Sequence, residues 1–410
     1  MPYGNFKSAM NGKVEFLKTP GNGGKQSSFE DRTRLVFLLL FAAAAVFQLF
    51  STRFPHVYGL YDGGTLKFFS GADPYPAEFR SGADYGNWFV YPPVFTFLFL
   101  PFSSMVLGPA YGAFGWVLLN LLVFYGGVMA VIDQLGGNAI FRRWRMVAAI
   151  FLVTNEMLGA ALGTQSNALV TGLMLLGGVS YARGRFTASG LLLAIAAAIK
   201  IHPLVLVLLL ALGLEWRFIV SVFGFLLAFT FLPAVVTGWD TLFRLFEHLA
   251  AIFFADTLHD NFLGIQPALN AYGWFISDKA FTLFMLVNAA AVALVCLPKA
   301  KDANRLAAAS IPLALAFIIL FNKRTESLSF VILAPVFLFM LLAHLIAKDA
   351  GETAEAKLNL RLIIAGWMLI SYFSSDLFPG PLRDIVDTWH LKTLGGLLAY
   401  GWAWRAALRA

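Results

Sequence analysis

LYDGGTLKFFSGADPYPAEFRSGADYGNWFVYPPVFTFLFLP, residues 60–101, is the stretch on which the reading of the chain turns. It carries Asp62, Asp73 and Asp84 and hangs between an apolar run that ends near Ser51 and another that opens near Phe89. Carboxylates beside a bilayer need a reason. That the surroundings are a bilayer follows from composition: the 410 residues are 59% hydrophobic and only 13% charged, with a positive mean hydropathy. Such a balance excludes a soluble single-domain fold and implies an all-α polytopic integral membrane protein.

Working outward, apolar runs lie near 35–51, 89–107, 111–132, 145–161, 167–181, 187–199, 203–214 and 217–236, then near 280–297, 305–321, 328–347, 359–373 and 393–408. Several are shorter than the roughly 20 residues a straight helix needs to cross the hydrocarbon, so some must be broken, tilted or half-crossing. Residues 1–32, rich in Gly, Asn, Ser and Lys, read as a flexible cytoplasmic tail without the pattern of a signal peptide, and 33–410 as one transmembrane domain. Lys and Arg concentrate in the loops at 182–185, 215–217, 299–301 and 348–361 and in the tails, which places those segments in the cytoplasm. Loops 52–88, 162–167, 237–279, 322–327 and 374–392 then share the extracytoplasmic face. Thirteen crossing runs would give the wrong parity for two cytoplasmic termini and would put Arg142, Arg143 and Arg145 outside. About twelve spans are therefore expected, with one run between 89 and 161 failing to cross.

The net charge of +7 is accounted for by this loop asymmetry, so nucleic acid is not a required partner. A single cysteine, Cys296, excludes an internal disulfide and a thiolate cluster. No group of residues has metal-ligand spacing, and neither a metal nor a cofactor is expected. The phosphate-loop, HExxH and GxSxG patterns are absent, which argues against a nucleotide-driven pump, a zinc protease of that type and an α/β hydrolase. Gly159 to Gly163 matches GxxxG and reads as a helix-packing contact.

Four sets of residues stand out. Asp62 follows the membrane exit by about ten residues, where partial desolvation suits a general base; a helix cap or solvated acid is the equal alternative. Asp73, before Pro74, reads first as a turn former. Lys200-Ile201-His202-Pro203 interrupts two apolar runs, and a lysine there costs on the order of 3 kcal/mol unless it meets a partner such as a phosphate or snorkels to the interface. Gln165 and Asn167, His259 and Asn261, and Arg324 and Glu326 occupy polar turns on the same face, where they could together line a cleft, although Arg324 and Glu326 are also a natural ion pair. Glu156, inside an apolar run, is a functional candidate unless it only pairs with an arginine.

The order of Asp62, Gly71-Ala72-Asp73-Pro74-Tyr75, Tyr91-Pro92-Pro93 with Pro101, Gly163-Thr164-Gln165-Ser166-Asn167 and Ala198-Ile199-Lys200-Ile201-His202-Pro203 resembles the polyprenol-phosphate-mannose-dependent mannosyltransferases of glycosyltransferase family 87, over roughly residues 35–340. The resemblance implies a GT-C fold in a bacterial inner membrane with a long first extracytoplasmic loop. It also implies an inverting transfer from a polyprenyl-phosphate sugar to a lipid or glycan hydroxyl on the extracytoplasmic face, with Asp62 as base. Lys200, His202 and Arg324 are then candidates for the donor phosphate. Asp73, Tyr75, Gln165, Asn167, His259, Asn261 and Glu326 are candidates for substrate contact. Two departures are visible: Arg324-Thr325-Glu326-Ser327-Leu328-Ser329 stands where many members carry a Trp and paired His, and Asn261-Phe262-Leu263-Gly264-Ile265-Gln266 matches the family's Asn-Gln-Ser-Leu stretch only loosely. The competing expectation is a secondary transporter or lipid flippase coupled through Glu156 and Lys200.

Overall fold

A computed structural model describes residues 56–75, 89–135, 143–255, 262–322, 324–373 and 388–409, with five isolated positions between 35 and 46. Helices are His56–Phe69 (α1), Val94–Phe99 (α2), Pro109–Leu135 (α3), Arg143–Leu162 (α4), Asn167–Ala182 (α5), Phe186–Ile199 (α6), Leu204–Ala211 (α7) and Trp216–Phe231 (α8). They continue as Ala234–Thr237 (α9), Trp239–Ala255 (α10), Ile265–Ala271 (α11), Asp278–Cys296 (α12), Ala303–Phe321 (α13), Ala334–Asp349 (α14), Thr353–Trp367 (α15) and Leu391–Arg409 (α16). No strand occurs among the described residues. Six helices among them are long and apolar enough to cross a membrane: α3, α4, α8 with α9, α12, α13, and α14 with the 3-10 turn before it. The remaining apolar runs fold into shorter helices, such as the 16-residue α5 and the 14-residue α6.

The bundle is sorted by burial. Most of the apolar windows of α13 and α14 lie inside the protein, whereas those of α8 and α12 are largely exposed, as suits helices at a lipid boundary. At the centre, α5 packs on α3, α6 and α13, and α13 packs in turn on α7 and α16.

The 89–107 run forms only α2 and the one-turn 3-10 helix Leu100–Phe102. At about 1.5–2 Å per residue these nine residues rise about 15 Å, half of what a crossing needs. Arg145 lies at the same end of the bundle as Asp349, held by two hydrogen bonds of 2.9 Å. Arg183 and Asn304 meet there as well, each bonded to Gln134, at 2.9 and 3.0 Å.

Three helices occupy segments expected to be loops. Within 52–88, α1 forms because Tyr58, Tyr61, Thr65 and Phe68, spaced by three and four, make one buried face. Gly63-Gly64 would weaken an isolated helix, but the Phe89 ring occupies the space a side chain at position 64 would fill. Within 237–279 lie α10, the most amphipathic helix among those described, and α11.

Candidate functional site

The site is built by three chain interruptions at the end of the bundle opposite Arg145. The first, Gly163-Thr164-Gln165-Ser166, joins α4 to α5. Thr164 sits at φ 56°, a left-handed conformation that a β-branched residue adopts only under constraint. The constraints are visible: its backbone N–H donates to Ala161 at 2.8 Å and its carbonyl accepts from Trp116 Nε1 at 2.9 Å. The Ser166 backbone N–H donates to the Tyr61 hydroxyl at 3.1 Å, so α1 helps fix the same turn. Gln165 and Asn167 are aimed by it, and both are buried.

The second interruption is Lys200-Ile201-His202-Pro203, between α6 and α7. Pro203 has no N–H to continue a helix and disfavours helical geometry in the residue before it, so the apolar run breaks here. Lys200 adopts an extended backbone (φ −142°, ψ 144°). Its ammonium donates to Asn167 Oδ1 at 2.7 Å and lies 5.6 Å from the centre of the Tyr91 ring, a cation–π contact. His202 is half-buried beside it.

The third runs from Asn322 to Glu326, after α13. Thr325 is buried, donates to the Ile319 carbonyl at 2.7 Å, and accepts the Leu263 N–H at 2.7 Å through its carbonyl. That anchoring presents Glu326 at the N-terminus of the 3-10 turn Ser327–Ile332, exposed to the cavity.

Together the interruptions close a hydrogen-bonded chain. Lys200 Nζ donates to Asn167 Oδ1, Asn167 Nδ2 donates to Gln165 Oε1 at 2.5 Å, and Gln165 Nε2 donates to Glu326 Oε2 at 2.6 Å. Asn167 Nδ2 also reaches Ser329 Oγ at 3.3 Å. A cation and an anion are thus joined through two amides, each used at both ends, and such chains polarise one another.

These residues form the polar part of a cavity of about 770 Å³, which also contains Arg324. The rest of its wall is apolar, contributed by Phe229 of α8, Phe246 and Phe253 of α10, and Phe281 and Met285 of α12. Among the described residues Glu326 is the one carboxylate that lines it.

Other expected residues lie elsewhere. Asp62 is in the middle of α1 rather than in a loop, on a face turned from the cavity, and its Oδ1 accepts the Ser104 backbone N–H at 2.7 Å. Asp73 forms the expected turn, accepting the Tyr75 N–H at 2.8 Å, and its other oxygen meets His248 Nδ1 of α10 at 2.6 Å. Tyr75 is buried and donates to the Tyr91 carbonyl at 2.5 Å. His259 and Asn261 lie outside the described residues. Glu156 is buried, with Lys392 at 3.4 Å and Asn155 Nδ2 at 3.3 Å. The cation beside it is Lys392, 236 residues away, and not an arginine. Gly163 takes the Leu328 side chain against its backbone, which is the packing role read from GxxxG.

The sequence gives Tyr61 and His248 no role, and Tyr91 and Ser329 enter it only within longer motifs. For the tyrosines the signal was available: Tyr61 belongs to the buried stripe of α1, its hydroxyl meets that of Tyr91 at 3.0 Å, and Tyr91 forms the platform beneath Lys200.

An apolar bundle with six helices long and apolar enough to cross a membrane among the described residues, and a polar cavity set at breaks in its helices, defines an integral membrane protein. The family model of glycosyltransferase family 87 matches residues 89–343, more than half of the chain, and includes every polar residue named above as lining the cavity. The chain belongs to glycosyltransferase family 87 and is a membrane glycosyltransferase. Asp62, Asp73 and Tyr75 precede the matched region. No curated protein and no solved structure matches the chain.

Proposed function

We propose that the chain moves a sugar from a polyprenyl-phosphate donor to a hydroxyl of a lipid or glycan, with inversion, in this cavity. One observation carries the reading: a fixed cation at Lys200 opens into the same space as a wall of phenylalanines, so a charged head and a hydrocarbon tail are accommodated together. A phosphate placed there meets Lys200, with His202 and Arg324 lining the same space. Transfer develops charge on that phosphate as the glycosidic bond breaks. A preorganised cation in a site poor in water stabilises developing charge far better than the same group does in solution. A GT-C architecture agrees with the helical bundle.

The arginine-bearing end formed by Arg145 and Arg183 supports a cytoplasmic assignment for that end, which leaves the cavity on the extracytoplasmic side of a bacterial inner membrane. Of the two residues a coupled transporter would use, Glu156 is paired with Lys392 and does not line the cavity, which favours the transferase reading.

The test is transfer by the purified protein in nanodiscs. It is supplied with radiolabelled polyprenyl-phosphate mannose, other polyprenyl-phosphate sugars and a total lipid extract. Label appearing in a new product supports the reading, and donor depletion without a glycosylated product would end it.

A further inference from the structure

The row of Lys200, Asn167, Gln165 and Glu326 carries a charge at each end and has the cavity along its side. Its two ends ask for different chemistry. The ammonium attracts an anion, whereas the carboxylate repels one and, having no proton to give, accepts hydrogen bonds from donors. At Glu326 that capacity is only partly used: Gln165 donates to Oε2 at 2.6 Å, and Oε1 has no hydrogen-bond partner among the described residues.

The row also has a length. Hydrogen bonds of 2.7, 2.5 and 2.6 Å and two amide groups separate the Lys200 ammonium from Glu326 Oε2, so the two lie at most about 12 Å apart. A phosphate, one sugar ring and a hydrogen bond at each end bridge such an interval, and a second ring does not fit within it.

We propose that Glu326 recognises the donor sugar, accepting hydrogen bonds from the pair of hydroxyls on the ring edge farthest from the phosphate. The assignment rests on the transferase reading above and adds to it how the donor is oriented and which class of sugar is taken. With the phosphate at Lys200, the anomeric carbon lies at that end of the row, and carbons 3 and 4 of a hexopyranose point toward Glu326. Neighbouring equatorial hydroxyls there present two donors side by side, and the carboxylate answers with Oε1 and the remaining lone pair of Oε2. Glucose and mannose share that edge. The reverse seating sets phosphate against carboxylate and leaves the hydroxyls to a cation.

This role asks no proton transfer of Glu326. Tail and phosphate are common to every polyprenyl-phosphate donor, so contacts to the ring act on how well the anomeric carbon is placed, and such binding energy is read in kcat. Gln165 is a positioning residue, since it holds the carboxylate.

The experiment measures kcat in nanodiscs with polyprenyl-phosphate mannose and glucose and with the 3-deoxy, 4-deoxy and 6-deoxy form of each. In wild type, removing the 3- or 4-hydroxyl should lower kcat by about 10- to 100-fold, the equivalent of one hydrogen bond to a charged group, while the 6-deoxy donors stay within a few-fold. Glu326→Ala should lose a similar factor on the parent sugars and lose the preference with it, all donors falling within a few-fold of one another. Glu326→Gln keeps an acceptor oxygen without the charge, should fall between, and carries the comparison if the alanine variant does not accumulate. Each ratio is taken within one preparation, so a folding defect cancels. Full preference in both Glu326 variants, or none in wild type, would overturn the assignment while transfer itself stands. A folded wild type that binds donor and transfers no sugar of either series would overturn the transferase reading instead.

Discussion

Two lysines of this protein each face a glutamate and an aromatic ring, and they are built to opposite ends. Lys392 lies 3.4 Å from Glu156 and 5.2 Å from the centre of the Phe330 ring, with side-chain exposures of 4% and 5% for the two charges. Lys200 lies over Tyr91, but its glutamate, Glu326, is reached only through Asn167 and Gln165, and both charges open on a cavity. The first pair is closed and has nothing left to offer a ligand; the second is held apart and has. The two also meet, because Lys392 donates to the carbonyl of Ser327 at 3.3 Å, one residue after Glu326. The closed pair holds the backbone on which the open one stands.

Breaking the closed pair should have the largest effect. Lys392→Met strands the Glu156 carboxylate in the bundle, and removing one partner of a buried pair costs about 3–5 kcal/mol. Thermal melting in detergent should show a large fall, most of it restored when Glu156→Gln is added. Equal melting of the single and double variants would mean that the two charges are not coupled.

Breaking the open pair at its cation comes next. Lys200→Met should reduce transfer by about 10²- to 10³-fold, as expected for loss of a preorganised electrostatic contact, with a melting loss smaller than that of Lys392→Met, since it orphans one neutral acceptor, Asn167 Oδ1, and leaves the Asn167 Nδ2 bonds to Gln165 and Ser329 in place. A melting loss as large as that of Lys392→Met would erase the distinction between the two lysines. Gln165→Leu sharpens the comparison from the middle. It removes one hydrogen bond to a charged group, worth about 1.5–3 kcal/mol in general, and should cost at least about tenfold in kcat with donor affinity little changed. A loss confined to donor affinity would place Gln165 on the substrate instead.

The smallest effect belongs to the half-exposed pair of Asp73 and His248, which ties the turn after α1 to α10. His248→Gln should shift stability by less than about 1 kcal/mol, since exposed pairs contribute little, and a larger shift on melting would show that α10 is held chiefly through Asp73.

Much of this was legible in the residues. From 109 onward the apolar runs became helices whose ends moved by only a few residues. Lys200-Ile201-His202-Pro203 read as a break because proline cannot continue a helix. Gln165, Asn167, Lys200 and Glu326 were placed on one face by counting crossings. What stayed hidden was direction around a helix axis. Asp62 has the surroundings a base would want in sequence, yet its place in α1 turns it toward Ser104, while Val57 and Leu60 of the same helix reach the cavity. The α1 stripe was masked by Gly63-Gly64 and by the acids around it. The partner of Glu156 was hidden for another reason, since nothing local reveals a contact spanning most of the chain.

Consider last the sense in which the amides between Lys200 and Glu326 are strung. An ammonium can only give protons and a carboxylate can only take them, so Asn167 and Gln165 must each turn oxygen toward the lysine and nitrogen toward the glutamate. Rotating either amide by half a turn would set donor against donor on one side and oxygen against oxygen on the other. Two neutral side chains are thereby locked into a single rotameric answer by the charges at the ends of their row. Exchanging those charges, with glutamate at 200 and lysine at 326, would require both amides to reverse together.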